Sequence, residues 1–168
     1  WDEAGIRIRF GSGNLVAQSW FGLNMPYGLA AAPNNVGISY DASGNNSISG
    51  TLGFSGNVIS GNTNFGIETS SESSGLGIYG NLIGTDPDGM IAVPNDSLGA
   101  YIRGLNHRIG HISIPLSGNV ISGNISNGIQ ISGYPHDTDS GHVIEGNIIG
   151  LNRLADAEIP NQVGIYVQ

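Results

Sequence analysis

The heptapeptide Gly56-Asn57-Val58-Ile59-Ser60-Gly61-Asn62 returns unchanged as Gly118-Asn119-Val120-Ile121-Ser122-Gly123-Asn124, a shift of 62 residues. A chain that spells one string twice at a fixed distance repeats a structural unit, so the period has to be found before any element is assigned. Similar steps carry Gly5-Ile6-Arg7-Ile8 to Gly66-Ile67-Glu68-Thr69 and to Gly128-Ile129-Gln130-Ile131. They also carry Phe21-Gly22-Leu23-Asn24 to Ile83-Gly84-Thr85-Asp86 and Ile149-Gly150-Leu151-Asn152. Closer comparison halves the period: Gly-apolar-x-apolar segments begin at Gly5, Gly37, Gly66, Gly99, Gly128 and Gly164, in steps of 29 to 36 residues.

Each step contains two further short apolar segments. The second kind covers Asn14 to Gln18, Ser47 to Gly50, Leu76 to Gly80, His107 to His111 and His142 to Gly146. The third covers Ser19 to Leu23, Asn57 to Gly61, Asn81 to Thr85, Asn119 to Gly123 and Asn147 to Leu151. Segments of four or five residues, β-branched and bounded by Gly or Asn, are too short and too broken for helices. One unit of three short strands cannot bury its apolar side alone, whereas copies stacked about 4.8 Å apart pair every strand with the coils above and below. The fold class expected is all-β without helices: a parallel β-solenoid of about five coils, forming a rod about 25 Å long.

Composition agrees. The 28 Gly would suit a disordered chain, but 22 Ile at regular intervals would not. The formal net charge is −8, and all five basic residues are Arg (Arg7, Arg9, Arg103, Arg108 and Arg153). Phosphate backbones need clustered cations, so nucleic acid is excluded as an expected partner. An anionic membrane surface is excluded on the same ground, and no apolar run approaches the roughly 20 residues that span a bilayer. Without Cys there is no disulfide framework, thiolate metal site or cysteine nucleophile. A weakly charged surface with 18 Asn points to an extracellular or cell-surface bacterial protein.

Alternation along the first strand sends Ile6, Ile38, Ile67, Ala100, Ile129 and Ile165 inward, and two residues on Ile8, Tyr40, Thr69, Ile102, Ile131 and Val167. Asn57, Asn81, Asn119 and Asn147 open the third strand in successive coils, with Ser19 in their place in the first. Asn tolerates left-handed turns, and stacked amides hydrogen-bond from coil to coil, so these four are read as structural.

The series Asn-Val-Ile-Ser-Gly-Asn, Gly-Ile-x-x and Asn-x-Ile-Gly-Thr-Asp resembles the right-handed parallel β-helix proteins of the pectin-lyase-like superfamily, and within it the Asn/Gly-rich repeats of bacterial secreted and surface proteins. The likeness covers nearly the whole chain. It implies a right-handed helix with internal asparagine ladders, and in catalytic relatives a polysaccharide lying on the outer face of one sheet. It implies no single activity, because such folds carry lyases, hydrolases and non-catalytic stalks alike.

That outer face bears Arg7, Ser39, Glu68, Tyr101, Gln130 and Tyr166 in one column and Arg9, Asp41, Ser70, Arg103, Ser132 and Gln168 beside it. Asp41, Glu68, Tyr101, Arg103 and Tyr166 are the candidate ligand-binding residues: a sugar ring would stack on Tyr101 or Tyr166, with Arg103 and Glu68 holding its hydroxyls or acid group. The plainer alternative is a solvated face whose opposite charges pair along each ladder.

Every second coil carries a longer connection: Asn24 to Val36, Asp86 to Leu98 and Asn152 to Val163. Each contains Pro-Asn near its end, preceded by Ala31, Ala92 and Glu158, and together they should form a ridge. Asp86-Pro87-Asp88-Gly89 resembles part of an oxygen-ligand loop, making Asp86 and Asp88 the candidate metal ligands and Ca2+ the ion. It is equally a good turn, and the corresponding first loop has Asn24 and Tyr27 instead. His107, His111, His136 and His142 make no site by spacing and read as surface or turn residues.

A carbohydrate-cleaving enzyme of this fold needs an Arg or Lys base, or paired carboxylates, in a cleft built here by the long loops above Tyr101 and Arg103. With no Lys, no adjacent Asp pair, no Asn-Thr-Asp and no Arg-Ile-Lys, neither catalytic pattern transfers. The balance is against an enzyme. The expected entity is a single β-helix domain over residues 1–168, an excerpt of a longer solenoid, acting as a structural or adhesive module that contacts glycans. The alternatives are a fragment of a polysaccharide lyase or glycoside hydrolase acting on acidic glycans, and a unit that stacks on flanking coils or on itself end to end.

Overall fold

Gly and Asn at the segment ends stop each apolar stretch after a few residues, and three strands per turn of the chain result. A computed structural model describes residues 3–24, 31–50, 56–113, 117–133 and 140–168. The first coil holds β1 (Ala4–Ile8), β2 (Leu15–Val16) and β3 (Trp20–Phe21). The next two hold β4 (Val36–Tyr40), β5 (Ser47–Ser49) and β6 (Val58–Ile59), then β7 (Phe65–Thr69), β8 (Gly77–Tyr79) and β9 (Leu82–Ile83). They are followed by β10 (Ala100–Ile102), β11 (Arg108–Ile109) and β12 (Val120–Ile121), by β13 (Asn127–Ile131), β14 (Val143–Ile144) and β15 (Ile148–Ile149), and by β16 (Val163–Val167). The strands of the second and third sheets and β10 lie inside the segments the repeat predicts, whereas β1, β4, β7, β13 and β16 begin one residue before the glycine that opens theirs.

The strands form three parallel sheets: β1-β4-β7-β10-β13-β16, β2-β5-β8-β11-β14 and β3-β6-β9-β12-β15. The chain is a parallel β-solenoid, with no helix among the described residues, hence none long and apolar enough to cross a membrane. Register follows the repeat rung by rung: Ile6, Ile38, Ile67, Ala100, Ile129 and Ile165 share one column. Ile48, Ile78 and Ile109 from the second sheet and Ile59, Ile83 and Ile121 from the third meet that column, all fully buried. Burying each such side chain stabilises the fold by about 2 kcal/mol.

The end of the column departs from expectation. Ile165 and Val167 are exposed to 42% and 68%, because β16 is the last strand of its sheet and no coil covers it. At the opposite end of the stack Ile8 of β1 and Val16 of β2 are buried although each strand has a neighbouring coil on one side only.

The third sheet is apolar on both faces, which explains why its strands read Val-Ile, Leu-Ile and Ile-Ile without alternation. Val58, Leu82 and Val120 point outward and pack with Leu23, just before the first long connection, and with Val93 within the second. Each connection turns back on its own coil through an antiparallel bridge, Leu23 to Ala31, Thr85 to Ala92 and Leu151 to Glu158, and the ridge lies here. Residues 25–30, with Tyr27, lie outside the described residues.

Asparagine side chains tie coil to coil. The Oδ1 of Asn57, Asn81, Asn119 and Asn147 accepts the backbone N–H of Ser19, Asn57, Asn81 and Asn119 respectively, at 3.0 to 3.2 Å. Their Nδ2 groups donate to the carbonyls of Val16, Ile48, Ile78 and Ile109. A second ladder follows the third sheet: Asn62, Asn95, Asn124 and Asn161 accept from Asn34, Asn62, Asn95 and Asn124, and donate to Phe21, Ile59, Ile83 and Ile121. None of these asparagines has positive φ, so their role is amide bonding and the left-handed role expected of them falls away. Among the described residues the left-handed positions fall to glycine except at Gln18, Asn106 and Ala155; at Gly84 φ is +91° and the missing Cβ would lie 2.3 Å from the Ser122 carbonyl oxygen.

Asn81→Ala leaves the Asn57 N–H buried and unpaired and takes one bond from the Ile48 carbonyl, which should lower stability by about 3 kcal/mol. Asn147→Ala, at a half-buried rung, should cost less than half of that. Urea unfolding with an unchanged denaturant slope checks both.

Candidate functional site

Side chains of β1, β4 and β7 and of the residues just beyond β1, β4, β7 and β10 surround a shallow cavity of about 180 Å³ on the first sheet. The strands place every second residue on this face, and the one-rung register brings residues about 30 apart in sequence side by side. In rung order Arg7 and Arg9 stand at one end, Asp41 and then Glu68 follow, and Arg103 stands at the other end. Five charged side chains from four coils thus share one groove.

Glu68 and Thr69 hold Arg103 at four points. Its Nη2 donates to Glu68 Oε1 at 3.1 Å and its Nε to the Thr69 carbonyl at 3.1 Å. Its backbone N–H donates to Thr69 Oγ1 at 2.7 Å, and its carbonyl accepts from the same hydroxyl at 2.7 Å. The guanidinium also lies 4.9 Å from the centre of the Tyr101 ring, which leans on Phe65. Asp41 accepts from Ser70 Oγ at 2.7 Å. Arg7 and Arg9 are exposed, and among the described residues the ion pairs are Arg103 with Glu68 and Arg108 with Glu145.

Of the residues singled out from sequence, Asp41, Glu68 and Arg103 line the groove and Tyr101 stands at its rim through Arg103. Tyr166 lies two rungs beyond Tyr101, with Gln130 between them, outside the groove. Arg7 and Arg9 were placed in the outward columns but not among the site residues; their signal was position in those columns beside Asp41 and Glu68. The long connections cover the third sheet, so the cleft that an enzyme would build from them above Tyr101 and Arg103 is not formed by their described residues.

Asp86 is buried, and its Oδ1 accepts the backbone N–H groups of Met90 and Ile91 at 2.7 and 2.9 Å, closing its own turn. Asp88 is exposed. Among the described residues no three His, Asp or Glu side chains are grouped to hold a metal.

His107 is not the surface residue its spacing implied; it is fully buried. Its Nδ1 accepts the Leu76 N–H at 3.0 Å, as Asn46 Oδ1 accepts the Asn14 N–H two coils earlier in the same column. An imidazole acceptor replaces an amide acceptor. Nε2 therefore carries the proton and donates to the Arg103 carbonyl at 2.8 Å, with Ser73 Oγ at 3.1 Å. His142 stacks on this ring at 5.3 Å, and its Nδ1 accepts the His107 N–H at 3.3 Å. His136 lies outside the described residues.

No family profile matches the chain, and neither a curated protein nor a solved structure matches it.

Burial, then the neighbouring His142, lowers the His107 pKa from 6.5 to about 4, against the bond to Arg103 that raises it. The unfolded chain therefore binds this proton first on acidification: the stabilisation is complete above pH 6.5 and is lost as pH falls from there through about 4. The loss assigned to His107 is about 3 kcal/mol. Unfolding free energies of wild type and His107→Asn at pH 7 and pH 4 should differ in their pH dependence by that amount.

Proposed function

We propose that the chain is a non-catalytic module of the right-handed, pectin-lyase-like β-helix type from a bacterial secreted or cell-surface protein, whose first-sheet groove holds an acidic glycan. The observation that carries this reading is the pair Arg7 and Arg9, exposed and without an ion pair among the described residues, in the same groove as the Arg103–Glu68 pair. A carboxylate or sulfate in that groove gains charge-assisted bonds from guanidinium groups that the sheet carries on one face. Tyr101 offers a ring beside them for the apolar face of a sugar. With a net charge of −8, the chain repels polyanions at a distance, so the attraction is local and salt-dependent.

Non-catalytic action is supported by the engagement of the groove's acid–base groups: Glu68 and Arg103 hold each other and Asp41 holds Ser70. The gathering of two carboxylates and three arginines in one groove is the observation that favours the second reading, a polysaccharide lyase or hydrolase acting on the same glycans.

A glycan array with and without calcium, using wild type, Tyr101→Ala/Arg103→Ala and Arg7→Ala/Arg9→Ala, tests both. Binding of polygalacturonate or alginate that weakens about tenfold or more in each double variant is expected. Wild type that binds no acidic glycan overturns the proposal, and release of unsaturated or reducing ends from the polymers replaces it with the enzymatic reading.

A further inference from the structure

Arg103 sits one residue beyond β10, where the chain leaves the first sheet through Gly104, whose φ is +92° and whose missing Cβ would lie 2.2 Å from the Ser73 carbonyl oxygen. At this corner the bonds accepted by the Arg103 carbonyl come from side chains, Thr69 Oγ1 and His107 Nε2. Thr69 grips the N–H and the carbonyl of Arg103 from the coil below, and His107 grips the same carbonyl from four residues ahead. The peptide plane that launches the Arg103 side chain is therefore pinned from two sides.

We infer that His107 is a positioning residue of the groove: the proton on its Nε2 ties the Arg103 carbonyl to the buried wall and so fixes the aim of the guanidinium. The inference rests on the groove reading for its functional meaning and on geometry alone for the tether. Three things lock the ring in place. Its Nδ1 is occupied by the Leu76 N–H, His142 stacks on one face at 5.3 Å, and Tyr40 meets it edge-on at 6.0 Å. The titratable and charged groups facing it are His142, Tyr40 and Arg103 itself, with no carboxylate bonded to the ring, which favours the neutral donor form. Asn46 occupies the same column in the coil whose outward position is Asp41, and its Nδ2 turns to the Gly11 carbonyl and the Tyr40 hydroxyl instead. A rung of the ladder asks only for an acceptor; the second nitrogen of His107 is free for the tether.

Two variants separate these roles. His107→Asn keeps an acceptor for Leu76 and loses the reach to Arg103, whereas His107→Gln keeps a donor at the reach of Nε2 and loses the acceptor. The readouts are hydrogen exchange and 15N relaxation of the Arg103 Nε–H, the urea midpoint, and the dissociation constant for a polygalacturonate oligomer. In wild type and His107→Gln the Nε–H should be ordered; in His107→Asn it should exchange about tenfold faster, with about fivefold weaker binding, although this variant is the more stable of the two. Equal order of Arg103 in both variants, or disorder that follows stability instead of the donor, overturns the inference. Should neither variant fold, the wild type decides: absence of a scalar coupling across the hydrogen bond from His107 Nε2 to the Arg103 carbonyl overturns it, and its presence supports it. Wild type that binds no polygalacturonate removes the groove reading and leaves the Arg103 comparison to decide the role of His107.

Discussion

One bond repeats through this molecule and the rest depends on it: an acceptor on a buried side chain takes the backbone N–H of the preceding coil. At the corners of a three-sheet solenoid the chain leaves the ladder, and its peptide groups turn towards an interior with no water to satisfy them. Asn meets this demand with both ends of its amide, accepting an N–H from one coil and donating to a carbonyl, as Asn81 does between Asn57 and Ile48. His107 and His142 meet the accepting half of it with Nδ1. The isoleucine core supplies the larger share of the driving force, but these bonds set the register, because a slip of one residue would strand every corner at once.

The strands and their order were legible because Gly and Asn mark each corner and Ile recurs between them. So were the three folded-back connections, since Ala31, Ala92 and Glu158 stand at the same place in each. The second asparagine ladder was harder to see, because its members come from alternating contexts: Asn62 and Asn124 end a Ser-Gly-Asn, while Asn34, Asn95 and Asn161 follow a Pro. Only stacking reveals that the two contexts share a column. The burial of His107 was hidden for a related reason: the sequence shows a titratable ring, and only the column shows that an amide acceptor stands there two coils earlier.

The groove was partly legible. Alternation placed Glu68, Arg103 and Asp41 on one face, but which of them meet depends on side-chain reach across coils, and that the repeat does not encode. Arg7 and Arg9 were visible as members of the outward columns without any mark that they would stand outside the ion pairs found among the described residues. Tyr166 was chosen for its ring, and its distance from Tyr101 follows from the two rungs between them.

The third sheet, sealed on its outer side by the folded-back connections, gives the solenoid a back and a front. The back is committed to packing on both faces, so a change of side chain there disturbs a neighbour whichever way it points. The front is joined to the interior through backbone and inward residues only, and its outward residues answer to solvent. Such a cross-section lets the surface lettering drift coil by coil while the spine that carries it stays the same, and a new recognition surface can be written on this rod without refolding it.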